Sequence, residues 1–265
     1  MMNQDLKFVD KRKMTMIMNL ARNDFKNKYS GSVFGVFWGF APPIVTILVY
    51  GFVFHIGFHI RPMGNVPYLF WLVTGLVPWF FFSDSIVAVT NCFTEYSYLV
   101  KKVVFDIRMI PYVKLISSLV IHFFFLILLL YIGLLYGYIP GWYHLQLLYY
   151  TAALICLILS AGFITAVFNV FFKDISQIIM LFLQFGIWLV PIMWNTTMFS
   201  EKWIFILKFN PLFYIIQGYR DSLIYHVPVY AHTVHTVYFW CCILILALSG
   251  RYLFRKLNVH FADLL

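Results

Sequence analysis

An all-α membrane protein is the fold class this sequence predicts, on three observations. Hydrophobic residues make up 63% of the 265 and charged residues only 11%, where soluble domains carry about 25% charged. The apolar excess falls in blocks of about 20 residues, each long enough to cross about 30 Å of hydrocarbon as a helix. Continuous apolar runs such as Leu126–Leu130 lack the alternation of a membrane β-barrel, the other structure that satisfies its own backbone in lipid. The expected architecture has six transmembrane helices and an N-terminal amphipathic interfacial helix. A short cytoplasmic helix lies between spans two and three, and two short re-entrant helices lie between spans five and six.

Residues 1–30 form the N-terminal cytoplasmic segment. In it Met14, Ile17, Ala21, Phe25 and Tyr29 recur at three- and four-residue steps. That period predicts an amphipathic helix, lying on the membrane or docked on another subunit. Residues 31–265 form the transmembrane domain. Its first span is expected at about 34–57, bent by Pro42-Pro43 in its cytoplasmic third. After a loop over His59–Pro67, span two covers about 68–90, with Gly75 and Pro78 inside it.

The segment Asn91–Arg108 is too charged to insert and too long for a tight turn, so it predicts a short helix near 94–102 on the cytoplasmic face. Spans three to six follow at about 110–136, 145–171, 176–194 and 232–254. Between the last two, Trp203–Leu207 and Pro211–Ile216 are apolar but too short to cross. They read as helices dipping into the outer leaflet, the second capped by Asn210 with Pro211 in its first turn.

Charge sets the orientation. Of the 19 Lys and Arg, 15 fall on the side of the two termini and 4 (Arg61, Lys202, Lys208, Arg220) on the other. Positive flanks stay in the cytoplasm, so both termini are expected there in a multi-pass membrane protein. The net charge of +9 sits in short loops between spans and not on a polar surface, which argues for membrane lipid as its partner and against nucleic acid. Cys92, Cys156, Cys241 and Cys242 show no metal-type spacing and read as packing residues. The polar first thirty residues contain no cleavable signal pattern. No internal repeat is visible, so the inverted-repeat design of many secondary transporters has no support.

Several stretches, in order, carry a resemblance. Lys28-Tyr29 is followed by Ser32, Gly35 and Trp38 in YSGSVFGVFWGFAPP. Then come GLVPWFFFSDS (75–85), YLVKKVVFDIRMIP (98–111), FKDI (172–175) and NPLFYIIQGYRDSL (210–223). Over nearly the whole chain this resembles the permease subunit of ABC-2 type polysaccharide exporters. The wall teichoic acid export permeases look closest, and the O-antigen export permeases are the near neighbours. Asp106 departs from the pattern, since many relatives carry Pro there.

The resemblance implies a homodimer of six-span subunits, with two copies of a separate ABC ATPase docked beneath and an undecaprenyl-type lipid-linked polymer as cargo. The chain has no GxxxxGK[ST] loop, so ATP and Mg are expected in the partner and no cofactor in this chain. It is expected to be a transport subunit and not an enzyme.

Candidate site residues follow. Thr94, Glu95, Tyr96, Tyr98 and Leu99 offer a mixed surface for coupling to the ATPase, or belong to a solvated loop. The resemblance places spans one and five along the path. There Phe34, Phe37 and Trp38, with Phe182, Phe185 and Trp188 at three-residue steps, present rings on which sugar C–H faces can stack. The same rings suit lipid-facing positions.

Asp84 is the one acid well inside a span, about 9 Å from its cytoplasmic end, and so faces protein or water. A structural hydrogen bond and a role at the substrate entrance both fit it. Lys208 and Arg220, on the outer side, would guide a phosphate-rich polymer outward or anchor the dipping helices. His55 and His59 lack a third ligand, so no metal is expected. Asn195-Thr196-Thr197 fits a glycosylation sequon, a pattern short enough to arise by chance.

Two other classes find less support in the residues. A membrane-embedded transferase on lipid-linked sugars would want paired carboxylates at one surface, and Glu201 and Asp221 stand twenty residues apart. An ion-driven flippase would want several buried ionisable groups, and Asp84 stands alone in the sequence.

Overall fold

The structure, a computed structural model, describes residues 2–58, 66–101 and 106–265, with side chains from Arg12 onward except at His55, Ala262 and Asp263. Every extended regular element among the described residues is helical. Five helices are long and apolar enough to cross a membrane, and a sixth apolar helix of 15 residues falls short by that measure. The outer loop expected around His59 lies largely outside the described residues, as does the possible His55–His59 pair.

Helix α1 (Met2–Tyr29) is followed by α2 (Phe37–Tyr50), which runs through Pro42 and Pro43 into a wider π-type turn, Gly51–Gly57. Neither proline has an N–H to give the carbonyl four residues back, so Trp38 and Gly39 lose their usual helical donors. Thr46 also donates its hydroxyl to the Pro42 carbonyl one turn back, at 2.8 Å.

Helix α3 (Tyr68–Thr90) is the axis of the fold. It is apolar on every side, the pattern of a helix buried all round, and from Tyr68 to Trp79 every residue but Leu69 is buried. Helices α6 (Ile110–Leu135), α7 (Gln146–Phe171) and α10 (Pro211–Arg220) pack directly on it. Helix α11 (Thr233–Leu257) packs on α7 from outside.

The hydrophobic core has two parts. The larger surrounds α3, and the smaller joins Cys92, Phe93, Ile110, Val167, Phe254 and Phe261 at one end of the bundle. There α6 and α7 meet the short α4 (Cys92–Glu95), the end of α11 and α12 (Phe261–Leu264).

Two elements differ from expectation. The single helix expected at 94–102 is two four-residue turns, α4 and α5 (Ser97–Val100), because Tyr96 between them leaves helical backbone (φ −102°, ψ 29°). The fifth apolar helix, α8 (Ile175–Leu189), ends five residues early. Pro191 disfavours helical backbone at the residue before it, and Val190 is extended at φ −110°, ψ 145°. Val190, Ile192 and Met193 then fold inward and are buried.

At Asp106, where many members of the family it resembles carry Pro, the side chain caps a short turn by accepting the Arg108 N–H at 3.3 Å. Further along, α9 (Glu201–Leu207) precedes α10. The α10 cap is the expected one: Asn210 accepts from the Leu212 N–H at 3.0 Å, with Pro211 in the first helical position.

Candidate functional site

Two i,i+4 pairs on facing helices build the site. Asp24 and Lys28 lie one turn apart on α1, and Lys114 and Ser118 one turn apart on α6, so each pair projects from a single face. Lys114 Nζ donates to Asp24 Oδ1 at 2.6 Å and to Glu95 Oε2 at 2.5 Å. Tyr96 donates its hydroxyl to the same Asp24 oxygen at 2.7 Å, and its ring lies 5.0 Å from the Lys114 ammonium. Burial, and then its bond to Asp24, pushes the Tyr96 phenol well above its ordinary range, so it stays a donor.

One turn along, Lys28 Nζ donates to both oxygens of Asp84, at 2.8 and 3.1 Å, and Ser118 donates to Asp84 at 2.8 Å. Burial pulls the Lys28 ammonium downward, but the charge and hydrogen bond of Asp84 outweigh it and hold its pKa above the ordinary 10.5. Helix α1 is thereby tied to α3 through Lys28, to α6 through Asp24, and through Asp24 also to Tyr96 between α4 and α5. A buried charge without such a partner is costly.

The Lys28–Asp84 pair stands between two hollows. One, of about 580 Å³, runs between α2, α3 and α6 and is walled by Trp38, Tyr50, Trp79, Phe80, Phe81 and Phe125. The other, of about 480 Å³, is polar, with Asp24, Asn27, Asn91, Glu95, Tyr98 and Lys114 around it. Lys28, Asp84, Val87 and Ser118 line both. The aromatic groove therefore opens through an ion pair into a polar vestibule. Its charged lining residues, Lys28 and Asp84, cancel. Amides link the ends of α3 and α7 to the start of α8 as well: Asn169 on α7 donates to Asn91 at 3.1 Å and accepts from the Ser176 N–H of α8 at 3.2 Å.

The residues expected from sequence fall unevenly around these hollows. Asp84 is at the junction itself. Glu95, Tyr96 and Tyr98 line the vestibule, with Glu95 and Tyr96 already engaged by Lys114 and Asp24. Thr94 donates to the Asn91 carbonyl, and Leu99 packs on the smaller core.

Of the six path rings, Trp38 alone lines the groove; Phe34, Phe37, Phe182, Phe185 and Trp188 are all more than half exposed and point away from the bundle. Lys208 borders an outer hollow beside His235. Arg220 offers no outer surface: it is 2% exposed, its guanidinium lies 3.5 Å from the Trp71 ring centre, and it donates to the Ile192 carbonyl at 3.3 Å.

Sequence reading missed Lys114, Asp24 and Lys28 as partners, and the rings of α3. The signal for Lys114 was present: a lone cation four residues into an apolar span is costly unless paired. For Asp24 and Lys28 no signal distinguished them from other surface charges of α1.

The sequence pattern of the family described as ABC-2 type transporter matches residues 15–224. The chain is 26% identical over 255 residues to an O-antigen export system permease protein, RfbA, of Klebsiella pneumoniae, covering 94% of this chain and 95% of that one. A second RfbA from the same organism is 27% identical over 253 residues, with the same coverage. An RfbA of Myxococcus xanthus is 24% identical over 213 residues, covering 80% of this chain and 81% of its own. With most of its length, including every polar contact of the groove and vestibule, inside the matched region, the chain belongs to the ABC-2 type transporter family.

Proposed function

We propose that the chain is the membrane subunit of an ATP-driven exporter that moves a lipid-linked glycopolymer outward across the cell membrane. In this reading α2, α3, α6, α7, α8 and α11 are the six spans, α9 and α10 dip in from the outer side, and both termini are cytoplasmic. Two copies form the path, with the exposed rings of α2 and α8 facing one another. The energy comes from two copies of a partner ATPase, seated against Thr94, Glu95, Tyr98 and neighbouring residues.

The observation that carries this reading is the ring-walled groove meeting the polar vestibule at Lys28–Asp84. Sugar faces stack on rings, hydroxyls exchange partners with an ion pair, and neither holds a moving polymer tightly. The groove lining carries no net charge and the vestibule has more acids than cations, which suits a polysaccharide more than a chain of phosphodiesters. O-antigen, the cargo in the names of the relatives, is accordingly the polymer we favour. Wall teichoic acid is the second reading, because the chain as a whole resembles the permeases that export it.

The test is reconstitution into vesicles with and without the partner ATPase, offering each labelled lipid-linked polymer. ATP-dependent movement that needs the partner is the expected result, with O-antigen preferred. Full-rate movement by the chain alone refutes the reading, and preference for the teichoic polymer transfers it to the second.

A further inference from the structure

A cavity of about 410 Å³ opens between α7 and α11, sharing no residue with the aromatic groove. On α11 its wall is a four-residue stripe, Ile243, Ala247, Arg251 and Arg255, which changes from apolar to cationic along its length. Leu159 of α7 lines it as well, Phe163 of α7 packs on Phe254 nearer the basic end, and Arg108 at the foot of α6 adds a third guanidinium. No carboxylate lines the cavity. Arg108 is 3.9 Å from Asp106, whose other oxygen faces Lys13, and no acid among the described side chains pairs with Arg251 or Arg255. Arg108 also borders a hollow under Lys13, Met14 and Ile17 of α1, so the basic end lies level with the amphipathic helix.

A molecule that fits must be anionic at one end and hydrocarbon beyond it. From Arg255 to Ile243 is twelve residues, or about 18 Å of helix, the reach of most of a straight acyl chain. We propose that this cavity binds an anionic glycerophospholipid, its phosphate between Arg108, Arg251 and Arg255 and one acyl chain along Ala247 and Ile243. Basic pockets between spans near a membrane surface select such headgroups, and guanidinium forks match phosphate oxygens in pairs. The site stands apart from the transport reading and does not depend on it.

Native mass spectrometry of the full chain in detergent tests it, with dioleoylphosphatidylglycerol, dioleoylphosphatidylcholine or undecaprenyl diphosphate added. Phosphatidylglycerol is expected to bind at about tenfold lower concentration than phosphatidylcholine. Arg251→Gln with Arg255→Gln should abolish that preference. Ala247→Trp, on an exposed position, should block the slot while leaving the arginines intact. Equal binding of the two phospholipids, or a preference unchanged in both variants, overturns the site. Undecaprenyl diphosphate displacing phosphatidylglycerol in the unmodified chain but not in the variants overturns the occupant.

Discussion

Lys114 joins three elements through one ammonium, and it is nearly buried, as is Asp24. Removing one partner of a buried pair leaves the other charge in low dielectric without compensation, which costs roughly 3–5 kcal/mol. Lys114→Met should therefore lower thermal stability in detergent by about 3 kcal/mol, since Glu95 keeps half its surface in solvent. Adding Asp24→Asn should recover part of that loss; melting curves of the single and double variants decide, and an unshifted Lys114→Met rules the contact out as a tie.

Gly218 makes a second residue-scale case. A Cβ there would lie 2.1 Å from the buried Tyr150 ring, closer than real contacts come. Gly218→Ala should cost about 1–3 kcal/mol by overpacking. Combined with Tyr150→Ala it should be less than additive, because the obstacle is gone.

Among elements, α1 shows how far sequence carries. Its three- and four-residue apolar period was legible, and so were the α10 cap and the long spans α3, α6, α7 and α11, whose boundaries agree within a few residues. Where α1 docks was not legible, because Asp24 and Lys28 look like any solvated charges until α6 is placed beside them. Nor was the early end of α8, which needed weight given to the proline at 191 over the apolar run through it. Arg220 read as an outer cation because charge counting assigns a side and not a burial.

The Lys28–Asp84 contact gives α1 a pH signature. A cation whose folded pKa is raised contributes stability below its unfolded value and loses it as pH climbs through the folded one. The stability difference between the unmodified chain and Asp84→Asn should stay constant from about pH 6 to 9. It should close only above the ordinary lysine value of 10.5. Melting across that range measures it, and a difference that fades near neutrality would assign the contact to another group.

On the scale of the molecule, packing is lopsided. Helix α3 is buried over most of its length, while α2 buries only Ile47 and α8 buries none of its 15 residues. Both weakly packed helices lie on the groove side, where Trp38 of α2 and Ile187 of α8 line the same hollow. Lipid can cover exposed rings, but it gives no reason for the two least buried of the six long apolar helices to share one side.

A second copy does give one, since rings on α2 and α8 would then complete a path that a single chain leaves half built. Position decides between lipid and protein. With Cys156, Cys241 and Cys242 replaced by Ser and the buried Cys92 retained, a single cysteine at Trp188 or Phe185 should cross-link two chains in native membranes. A cysteine at Leu244, equally exposed on α11, should not. Cross-linking at Leu244 but not at Trp188 or Phe185 would put the contact on the other face, leave the α2 and α8 rings to lipid, and remove the dimeric path from the transport reading.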